Sequence, residues 1–228
     1  MAETPSPQFQ IRRCTRPGCG LRFACQQENP KALRCPVCRA ETELVAPPYQ
    51  RMEVEQEVGL PKGPLLEVFL DNIRSAWNVG SMLRTADGAG VRRVHLCGVT
   101  ARPDNPKVWK TALGAERSLS WSFYPDGVAG ALALKKQGLR LLALEGGSRA
   151  ESLFETGQDL PGDPLVLVVG NEVSGVDPGI LDLCDRVVYL PMQGIKGSLN
   201  VAVAFGIAVY YIRFGVAPGM IGQGGNGE

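Results

Sequence analysis

The stretch from residue 65 to residue 87, LLEVFLDNIRSAWNVGSMLRTAD, decides the fold class. Its first part, Leu65–Leu70, is a short apolar run of the length and composition typical of a buried strand. Its second part, Asn78–Gly88, carries apolar residues at helical spacing, and Asn78 is a residue type that favours the helix N-cap. The segment therefore predicts a strand that leads through a short loop into a helix.

The same alternation continues towards residue 213. Further strands are predicted at Arg93–Cys97, Leu139–Leu144, Leu165–Val169 and Val187–Leu190, and further helices at Gly127–Gln137, Pro178–Cys184 and Ser198–Arg213. Strands that alternate with helices predict an α/β domain with a mainly parallel sheet, here expected over residues 65–215. A proline- and glycine-containing linker is expected at 46–64, with a short helical piece near Met52–Val58, and a flexible glycine-rich tail at 216–228.

The first candidate site motif lies on the predicted helix after Leu65–Leu70. Ligands of open α/β sheets bind at the carboxyl ends of the strands, and this helix starts there. Asn78 and Arg84 lie on it, and an arginine in that position suits the binding of phosphate or carboxylate. A surface salt bridge to Asp87 is the alternative for Arg84.

The second motif, residues 165–176, is LVLVVGNEVSGV, a predicted buried strand that runs directly into a glycine. Gly170 is expected to let the backbone approach a ligand closely. Glu172 is expected at the same ligand-binding edge. The alternative for Glu172 is a carboxylate that accepts hydrogen bonds from free amides at a helix start.

The third motif, residues 190–204, is LPMQGIKGSLNVAVA, a strand end, a glycine-containing loop and an apolar helix. Gly194 and Gly197 are expected to leave room for a flat heterocycle. Ser198 is predicted to be the N-cap of the helix. Asn200, inside the first turn, is harder to explain by structure alone.

Together and in this order, the three motifs resemble the SPOUT-class RNA methyltransferases, in particular the TrmH-like branch. The resemblance rests on Asn78…Arg84, on Gly170-Asn171-Glu172-Val173-Ser174-Gly175, and on Pro191…Ser198-Leu199-Asn200-Val201, and it covers roughly residues 65–213. Each motif alone is only suggestive, whereas three in order over that length are specific.

The resemblance implies an α/β fold whose C-terminal part is threaded into a trefoil knot that forms a pocket for S-adenosylmethionine. It implies methylation of a ribose 2′-hydroxyl in tRNA or rRNA by a homodimer that packs partly through its last helix. The implied cofactor-binding residues are Leu144, Gly146, Gly170, Glu172, Leu190, Met192, Gly194, Ile195, Ser198 and Leu199.

The catalytic residues that the resemblance implies are Arg84, Asn78, Glu172, Ser198 and Asn200. The family assigns the activation of the ribose hydroxyl to the residue that matches Arg84. Because arginine stays protonated to very high pH, the physical alternative is a clamp on the neighbouring phosphate that also stabilises negative charge developing on oxygen. The two asparagines are implied to position the nucleotide or Arg84, Glu172 to orient the site near the cofactor or across the dimer, and Ser198 to contact the substrate.

A cysteine cluster precedes this domain. Two pairs, Cys14-x4-Cys19 and Cys35-x2-Cys38, are separated by 15 residues, a spacing typical of a structural zinc ribbon. We therefore expect a zinc-ribbon-like module at residues 1–45, which metal would help to fold. Cys25 is expected to be a free thiol nearby, with replacement of a ligand as the alternative.

The distribution of charge is more informative than its sum, which is +1 for the 228 residues. From Arg12 to Arg39 the module carries seven basic residues and one acidic residue, which suits RNA backbone contact, with a solvated surface as the alternative. Residues 71–118 carry eight basic and four acidic residues. Candidate RNA contacts in this second stretch are Lys107, Lys110 and Arg117, with Trp77 and Trp109 as candidates for base stacking.

Three further expectations concern single residues and location. Trp121 is a weaker stacking candidate, for which core packing or dimer burial is favoured. His95, the only histidine, is expected to be structural because it lacks the partners of a catalytic or metal-binding histidine. No apolar run reaches the roughly 18–20 residues of a membrane span, and the N-terminal residues do not resemble a secretory signal, so a cytoplasmic protein without membrane partners is expected.

Three other functions remain open at the level of sequence. A non-catalytic RNA-binding or ribosome-assembly factor on the same fold would be expected to lack Arg84 or Asn200, and both are present. A nucleotide-binding oxidoreductase would carry a Gly-x-Gly-x-x-Gly run after its first strand, and Asp71-Asn72-Ile73-Arg74 stands there instead. Base methylation by a related knotted enzyme is less favoured by the two intact pairs, Asn78 with Arg84 and Ser198 with Asn200.

Overall fold

The computed structural model describes residues 8–50, 65–156 and 164–215. The chain divides into two compact units, Met1–Gly59 and Leu60–Glu228. The predicted helical piece near Met52–Val58 and the predicted tail at 216–228 lie outside the described residues. No helix within the described ranges is long and apolar enough to cross a membrane.

The N-terminal unit is a three-stranded antiparallel sheet. Its strands are β1 (Gln8–Cys14), β2 (Arg22–Gln26) and β3 (Thr42–Gln50), in the order β2-β1-β3, with a 3₁₀ turn at Pro30–Leu33. The expected linker start at residue 46 is wrong, because residues 46–50 belong to β3. Ala46 pairs with Ile11, and Tyr49 pairs with Phe9, whose ring centroid lies 6.0 Å from that of the tyrosine.

The second unit contains a seven-stranded sheet in the order β6-β5-β4-β9-β7-β10-β8. All of its strand pairs are parallel, which confirms the prediction of an α/β domain with a mainly parallel sheet. The strands are β4 (Leu66–Asp71), β5 (Arg93–Cys97), β6 (Ser120–Tyr124), β7 (Arg140–Leu144), β8 (Glu151–Ser152), β9 (Leu165–Val169) and β10 (Arg186–Tyr189). Every residue of the central strands β4 and β9 is buried, as expected where helices cover both faces.

Six α-helices are found in the described part of this unit: α1 (Ala76–Gly88), α2 (Pro106–Ala112), α3 (Ala115–Ser118), α4 (Gly127–Lys136), α5 (Pro178–Leu181) and α6 (Val201–Tyr210). A π-helical turn, Tyr211–Gly215, follows α6. One apolar core lies between the sheet and α1, α2 and α6, and a second lies on the side of α4 and α5. The trefoil knot remains a prediction from the resemblance.

Two helix starts differ from the prediction. The side chain of Ser75, not that of Asn78, caps α1, because Ser75 Oγ accepts from the Asn78 amide at 3.3 Å. The helix therefore begins two residues early, and the Asn78 side chain is left for another partner. Asn200, not Ser198, caps α6, because its Oδ1 reaches the free amide of Ala202 at 2.9 Å. Ser198 lies in the loop before the helix.

The other predicted elements differ mainly in length. Helix α5 ends at Leu181 instead of Cys184, since the chain rejoins the sheet at once: the Asp185 amide donates to the Leu141 carbonyl at 2.8 Å. The predicted helix Ser198–Arg213 loses its first three residues, and its last turns change to π geometry. The elements α2, α3, β6 and β8 were not predicted, because they are too short to show a clear period.

The single histidine lies inside the sheet and has a structural environment. Its Nε2 lies 2.7 Å from Glu67 Oε2, and its Nδ1 lies 2.7 Å from Ser122 Oγ. Arg92 binds the other oxygen of Glu67 at 2.7 Å. Desolvation acts to raise the pKa of Glu67, but the bonds from His95 and Arg92 keep that pKa below its ordinary value. These contacts agree with the expectation that His95 is structural.

Helices α1 and α2 approach most closely at Gly80. A methyl group there would lie closer than 3.0 Å to Thr111 Oγ1 and to the Val108 carbonyl oxygen, so backbone would have to move. Gly80→Ala is therefore expected to lower the free energy of unfolding by about 1–3 kcal/mol in urea titrations. Gly206→Ala, in α6, is the matched control: its methyl group would meet only Thr85 Cγ2 at 3.7 Å. Equal losses in the two variants would contradict the close approach at Gly80.

Candidate functional site

A cleft of about 560 Å³ lies at the carboxyl ends of β7, β9 and β10. This volume falls in the range of about 300–1,000 Å³ usual for small-molecule sites. Eight of the ten residues predicted to bind a cofactor line it: Leu144, Gly146, Gly170, Glu172, Leu190, Met192, Ser198 and Leu199. Gly194 and Ile195 do not line it, and the Ile195 side chain points fully into solvent. The loop leaves the wall between Met192 and Gly197, so cofactor binding by these two residues stays a prediction.

The structure adds wall residues that were not among the ten predicted to bind the cofactor. They are Glu145, Val169, Asn171, Val173, Gly175, Tyr189, Gly197, Val201 and Ala204, together with Asn200, which was predicted in a catalytic role. Most of them are neighbours in sequence of predicted wall residues, just after the end of a strand. Extending each predicted segment by one or two residues would have included them. The predicted residues therefore identify the cleft but outline only part of its wall.

The glycines of the cleft have two different roles. A methyl group on Gly170 would clash with the backbone of Gly175 and Val176, so a close approach between two segments of the chain already requires glycine there. The expected approach of Gly170 to a ligand stays a prediction. Gly146 and Gly197, by contrast, have no atom within 4 Å of the position of an added methyl group. They leave open space in the wall.

Glu145 connects two of the loops that form the cleft. Its Oε1 accepts from the Gly146 amide and its Oε2 from the Val176 amide, both at 2.9 Å. Gly175 beside it has φ +74°, and a methyl group there would collide with the Glu145 carboxylate. The second glycine of the Gly-x-Glu-x-x-Gly motif is thus required both by its backbone conformation and by the carboxylate that packs on it.

Glu172 joins three elements of the site. Its carboxylate accepts from the Arg74 amide at 2.8 Å, from the Ser75 amide at 3.1 Å and from Asn78 Nδ2 at 2.9 Å. These donors lie in and just before the first turn of α1, which agrees with the alternative expectation of a carboxylate that binds free amides at a helix start. The Asn78 side chain continues the chain of contacts, since its Oδ1 lies 3.4 Å from Asn200 Nδ2.

The same contacts set the protonation state of Glu172. Partial desolvation acts to raise its pKa, but the hydrogen bonds from the Arg74 amide, the Asn78 side chain and the Ser75 amide outweigh that effect, and the pKa lies below its ordinary value. Glu172 is therefore an anion at neutral pH. It organises the site in this state and is unsuited to act as a general base.

Arg84 and Ser198 have no partners in this network. Arg84 is exposed on α1, and no described residue forms a salt bridge or a side-chain hydrogen bond with it, so the alternative of a bridge to Asp87 is wrong. Asp87 instead accepts from Ser118 Oγ at 2.5 Å. Ser198 lies on the wall of the cleft. The structure thus brings Glu172, Asn78 and Asn200 together and leaves the guanidinium of Arg84 available for an external anion.

The composition of the cleft fits a flat, partly apolar and positively charged ligand. Leu144, Val169 and Leu190 supply apolar wall for a heterocycle. Glu145 and Glu172 give the same wall two acidic side chains, which suits a ligand of positive charge. An adenosyl sulfonium compound has both of these properties.

The four predicted metal ligands converge in the N-terminal unit. The Sγ atoms of Cys14, Cys19, Cys35 and Cys38 all lie within 4.8 Å of one another. Two of the distances are 3.4 Å, between Cys14 and Cys38, and 3.8 Å, between Cys19 and Cys35. Tetrahedral zinc with Zn–S bonds of about 2.3 Å holds its sulfurs about 3.8 Å apart, so the cluster fits that ion. Cys25 lies outside the cluster, its Sγ directed to the Gln10 carbonyl.

Replacing the Glu172 carboxylate by an amide tests its organising role. At neutral pH, Glu172→Gln is expected to lower the free energy of unfolding by about 1 kcal/mol, because one amide oxygen replaces a charged acceptor of three hydrogen bonds. The folded pKa lies below the unfolded value of about 4.3, so the contribution of the carboxylate is present above that value and is lost as the pH falls through the folded pKa.

The difference between wild type and Glu172→Gln in urea unfolding should therefore shrink below about pH 4. Glu155→Gln is the matched control, since Glu155 is exposed and the described residues offer its carboxylate no hydrogen-bond donor. A loss that is independent of pH, or an equal loss in the control, would contradict the assigned network.

Comparison with known proteins supports the same site. Residues 65–210 match the SpoU rRNA Methylase family. The chain is 33% identical over 153 residues to 23S rRNA (guanosine(2553)-2′-O)-methyltransferase of Bacillus subtilis, an alignment that covers 64% of this chain and 57% of the relative. It is 32% identical over 148 residues to tRNA (guanosine(18)-2′-O)-methyltransferase of Aquifex aeolicus, covering 64% of this chain and 67% of the relative.

The chain thus spans between about half and two thirds of the length of these curated relatives. Among solved structures, the TrmH/SpoU tRNA modifying enzyme of Aquifex aeolicus superposes with a TM-score of 0.58 at 29% identity, over 67% of this chain and 76% of that one. The family match takes in more than half of the chain, and it contains both loops of the cleft and the start of α1. The chain therefore belongs to the SpoU rRNA methylase family.

Proposed function

We propose that this protein methylates a ribose 2′-hydroxyl of a structured RNA, tRNA or rRNA, with S-adenosylmethionine as methyl donor. The observation that carries the proposal is the cleft at the carboxyl ends of β7, β9 and β10. The second and third motifs form much of its wall, and the first motif is joined to that wall by the hydrogen bond from Asn78 to Glu172. The curated relatives named above act on guanosine ribose in 23S rRNA and in tRNA. Both RNA classes therefore belong to the proposal.

The proposed reaction is a displacement at carbon. The donor supplies an activated methyl group bound to sulfur; the ribose 2′-oxygen forms the new O–C bond, the C–S bond breaks, and the hydroxyl proton leaves to solvent or to an RNA phosphate. Catalysis then requires alignment of two reactants and stabilisation of charge, which the protein's own groups can provide. Glu172, Asn78 and Asn200 fix the cleft wall and the starts of α1 and α6 relative to one another.

Arg84 is proposed as the group that binds the phosphate next to the reacting ribose and stabilises the developing negative charge on oxygen. Its exposure and its lack of a salt bridge within the described ranges support this role. Its fixed positive charge makes it a poor proton acceptor. In this proposal Arg84 activates the hydroxyl by lowering the energy of the alkoxide-like transition state. It does not remove the proton.

Arg84→Ala is expected to lower kcat by a factor on the order of 10²–10³, because one charge-stabilising group is lost. The dissociation constant for S-adenosylmethionine should change less than about twofold, since Arg84 does not line the cleft. Both quantities are measured with tritiated cofactor, in methyl transfer to bulk tRNA or rRNA and in equilibrium dialysis.

The control is Arg93→Ala. Arg93 is an exposed arginine at the start of β5, the strand that follows α1 in the sequence. The control variant should keep full activity. An Arg84→Ala variant with wild-type kcat would contradict the assignment, and so would one that loses cofactor binding instead.

The N-terminal unit is proposed to be a zinc ribbon that contacts RNA. The short sulfur–sulfur distances support zinc. Four basic residues support RNA contact because they are exposed and make no side-chain ion pair with a described residue: Arg16, Arg22, Lys31 and Arg39. The proposal also places the protein in the cytoplasm, where thiols stay reduced and bind metal instead of forming disulfides.

Purified protein is expected to contain one zinc ion per chain by atomic emission, and a strong chelator should unfold the N-terminal unit, because its small core depends on metal. Cys35→Ser should lower the zinc content severalfold. Cys25→Ser is the matched control and should keep the ion, since Cys25 points to a backbone carbonyl. Wild-type protein without zinc, or zinc lost equally in both variants, would contradict the site.

A homodimer through the last helix belongs to the same proposal. Five large apolar side chains form one exposed stripe along α6 and the residues beside it: Leu199, Val203, Ile207, Tyr210 and Phe214. Their spacing of three to four residues keeps them on one helix face. A contiguous apolar stripe of this kind is unusual on a monomer and supports an interface between subunits.

A further inference from the structure

We propose that Trp77 and Lys110 form a stacking platform for a base of the substrate RNA, next to the nucleotide that is methylated. This inference rests on the proposed function. It adds an RNA contact to those proposed for the residues of the three motifs.

Trp77 presents a large aromatic surface that the fold does not use. Its side chain is 50% exposed. Lys110 Nζ lies 5.7 Å from the centroid of its ring, within range of a cation–π contact. An ammonium held at an exposed indole is an arrangement that stacks a base and binds its phosphate together.

The platform is held rigidly by the packing of α1 on α2. Thr111 Oγ1 donates to the Trp77 carbonyl at 2.9 Å. One turn later, Gly80 lies against the backbone of α2 without space for a methyl group. These contacts fix the backbone that carries Trp77 relative to the backbone that carries Lys110. A surface that is ordered before RNA binds has less conformational entropy to lose on binding.

Trp77 lies on the same face of α1 as Arg84. The two residues are seven positions apart, which is two helical turns and about 10 Å along the axis. The next residue after Trp77, Asn78, hydrogen-bonds to Glu172 on the wall of the cleft. An RNA strand that places one phosphate at Arg84 and the ribose near the cleft would bring a neighbouring base to the indole.

The charge around the indole favours RNA over a protein partner. Exposed basic residues lie on α1, on α2 and in the loop before α1: Arg74, Arg84, Lys107 and Lys110. Of the four acidic residues between 71 and 118, Asp71 and Glu116 are buried and Asp87 accepts from Ser118. Asp104 is exposed, so the four cations face one free carboxylate in this stretch. A surface that combines an exposed indole with unpaired cations complements single-stranded nucleic acid.

The experiment compares two fluorescein-labelled oligoribonucleotides of equal length, one with all of its bases and one abasic in its central part. Binding to the full-length protein is measured by anisotropy at several salt concentrations. Wild type should bind the base-bearing strand more tightly. Trp77→Leu should weaken that binding roughly 5- to 100-fold, as expected for the loss of one stacked base, and should leave the affinity for the abasic strand unchanged.

Two further variants separate stacking from charge. Lys110→Gln should reduce the salt dependence of binding by roughly one phosphate contact and keep a preference for the base-bearing strand. Trp121→Leu is the matched control, the same substitution at a half-exposed tryptophan on the edge strand β6, and should bind like wild type. Sedimentation velocity checks that the assembly state of Trp77→Leu is that of wild type.

The platform would be overturned if Trp77→Leu weakened the binding of both strands equally, or if Trp121→Leu weakened binding as much as Trp77→Leu. A changed assembly state of Trp77→Leu would also overturn it and would make Trp77 a subunit contact. Failure of the proposed function looks different. Wild-type protein that transfers no methyl group to any RNA, yet prefers the base-bearing strand through Trp77, would overturn the methyltransferase proposal and leave an RNA-binding platform.

Discussion

The arrangement of the site depends on the carboxylate of Glu172. It is the one group that bonds both the backbone just before α1 and the Asn78 side chain, and through Asn78 it reaches Asn200 at the start of α6. The loop after β9 and the starts of two helices, distant in sequence, are thereby held at one edge of the sheet. Because the carboxylate accepts three hydrogen bonds, it stays ionised and is a fixed acceptor, so the geometry of the cleft does not depend on a proton near neutral pH.

The two units of the chain are stabilised in different ways. The larger unit has a parallel sheet whose central strands are buried on both faces, and its two apolar cores account for its order. Among residues 8–50 of the smaller unit, few apolar side chains are buried besides two of the four clustered cysteines. The proposed zinc ion would therefore add to the stability of this unit.

The sequence predicted five strands and four helices of the larger unit, and the loops that form the cleft, because apolar strands and glycine-bounded loops are local patterns. It did not predict the features that depend on contacts between residues far apart in the sequence. Which side chain caps α1 was decided by Glu172, which engages Asn78 and leaves the cap to Ser75. Gly170 was assigned to a ligand, whereas the atoms close to it belong to residues 175 and 176. Glu145 could not be recognised because its partner, the Val176 amide, lies 31 positions away.

The central claim, methyl transfer to a ribose oxygen in RNA, is tested most directly by the chemical identity of the product. RNA would be incubated with the protein and S-adenosylmethionine labelled in its methyl group, and then hydrolysed in alkali. Alkaline cleavage needs a free 2′-hydroxyl, so the account predicts that the label appears in alkali-resistant dinucleotides. Label found only in mononucleotides, which would indicate a methylated base, or no label in RNA at all, would contradict it.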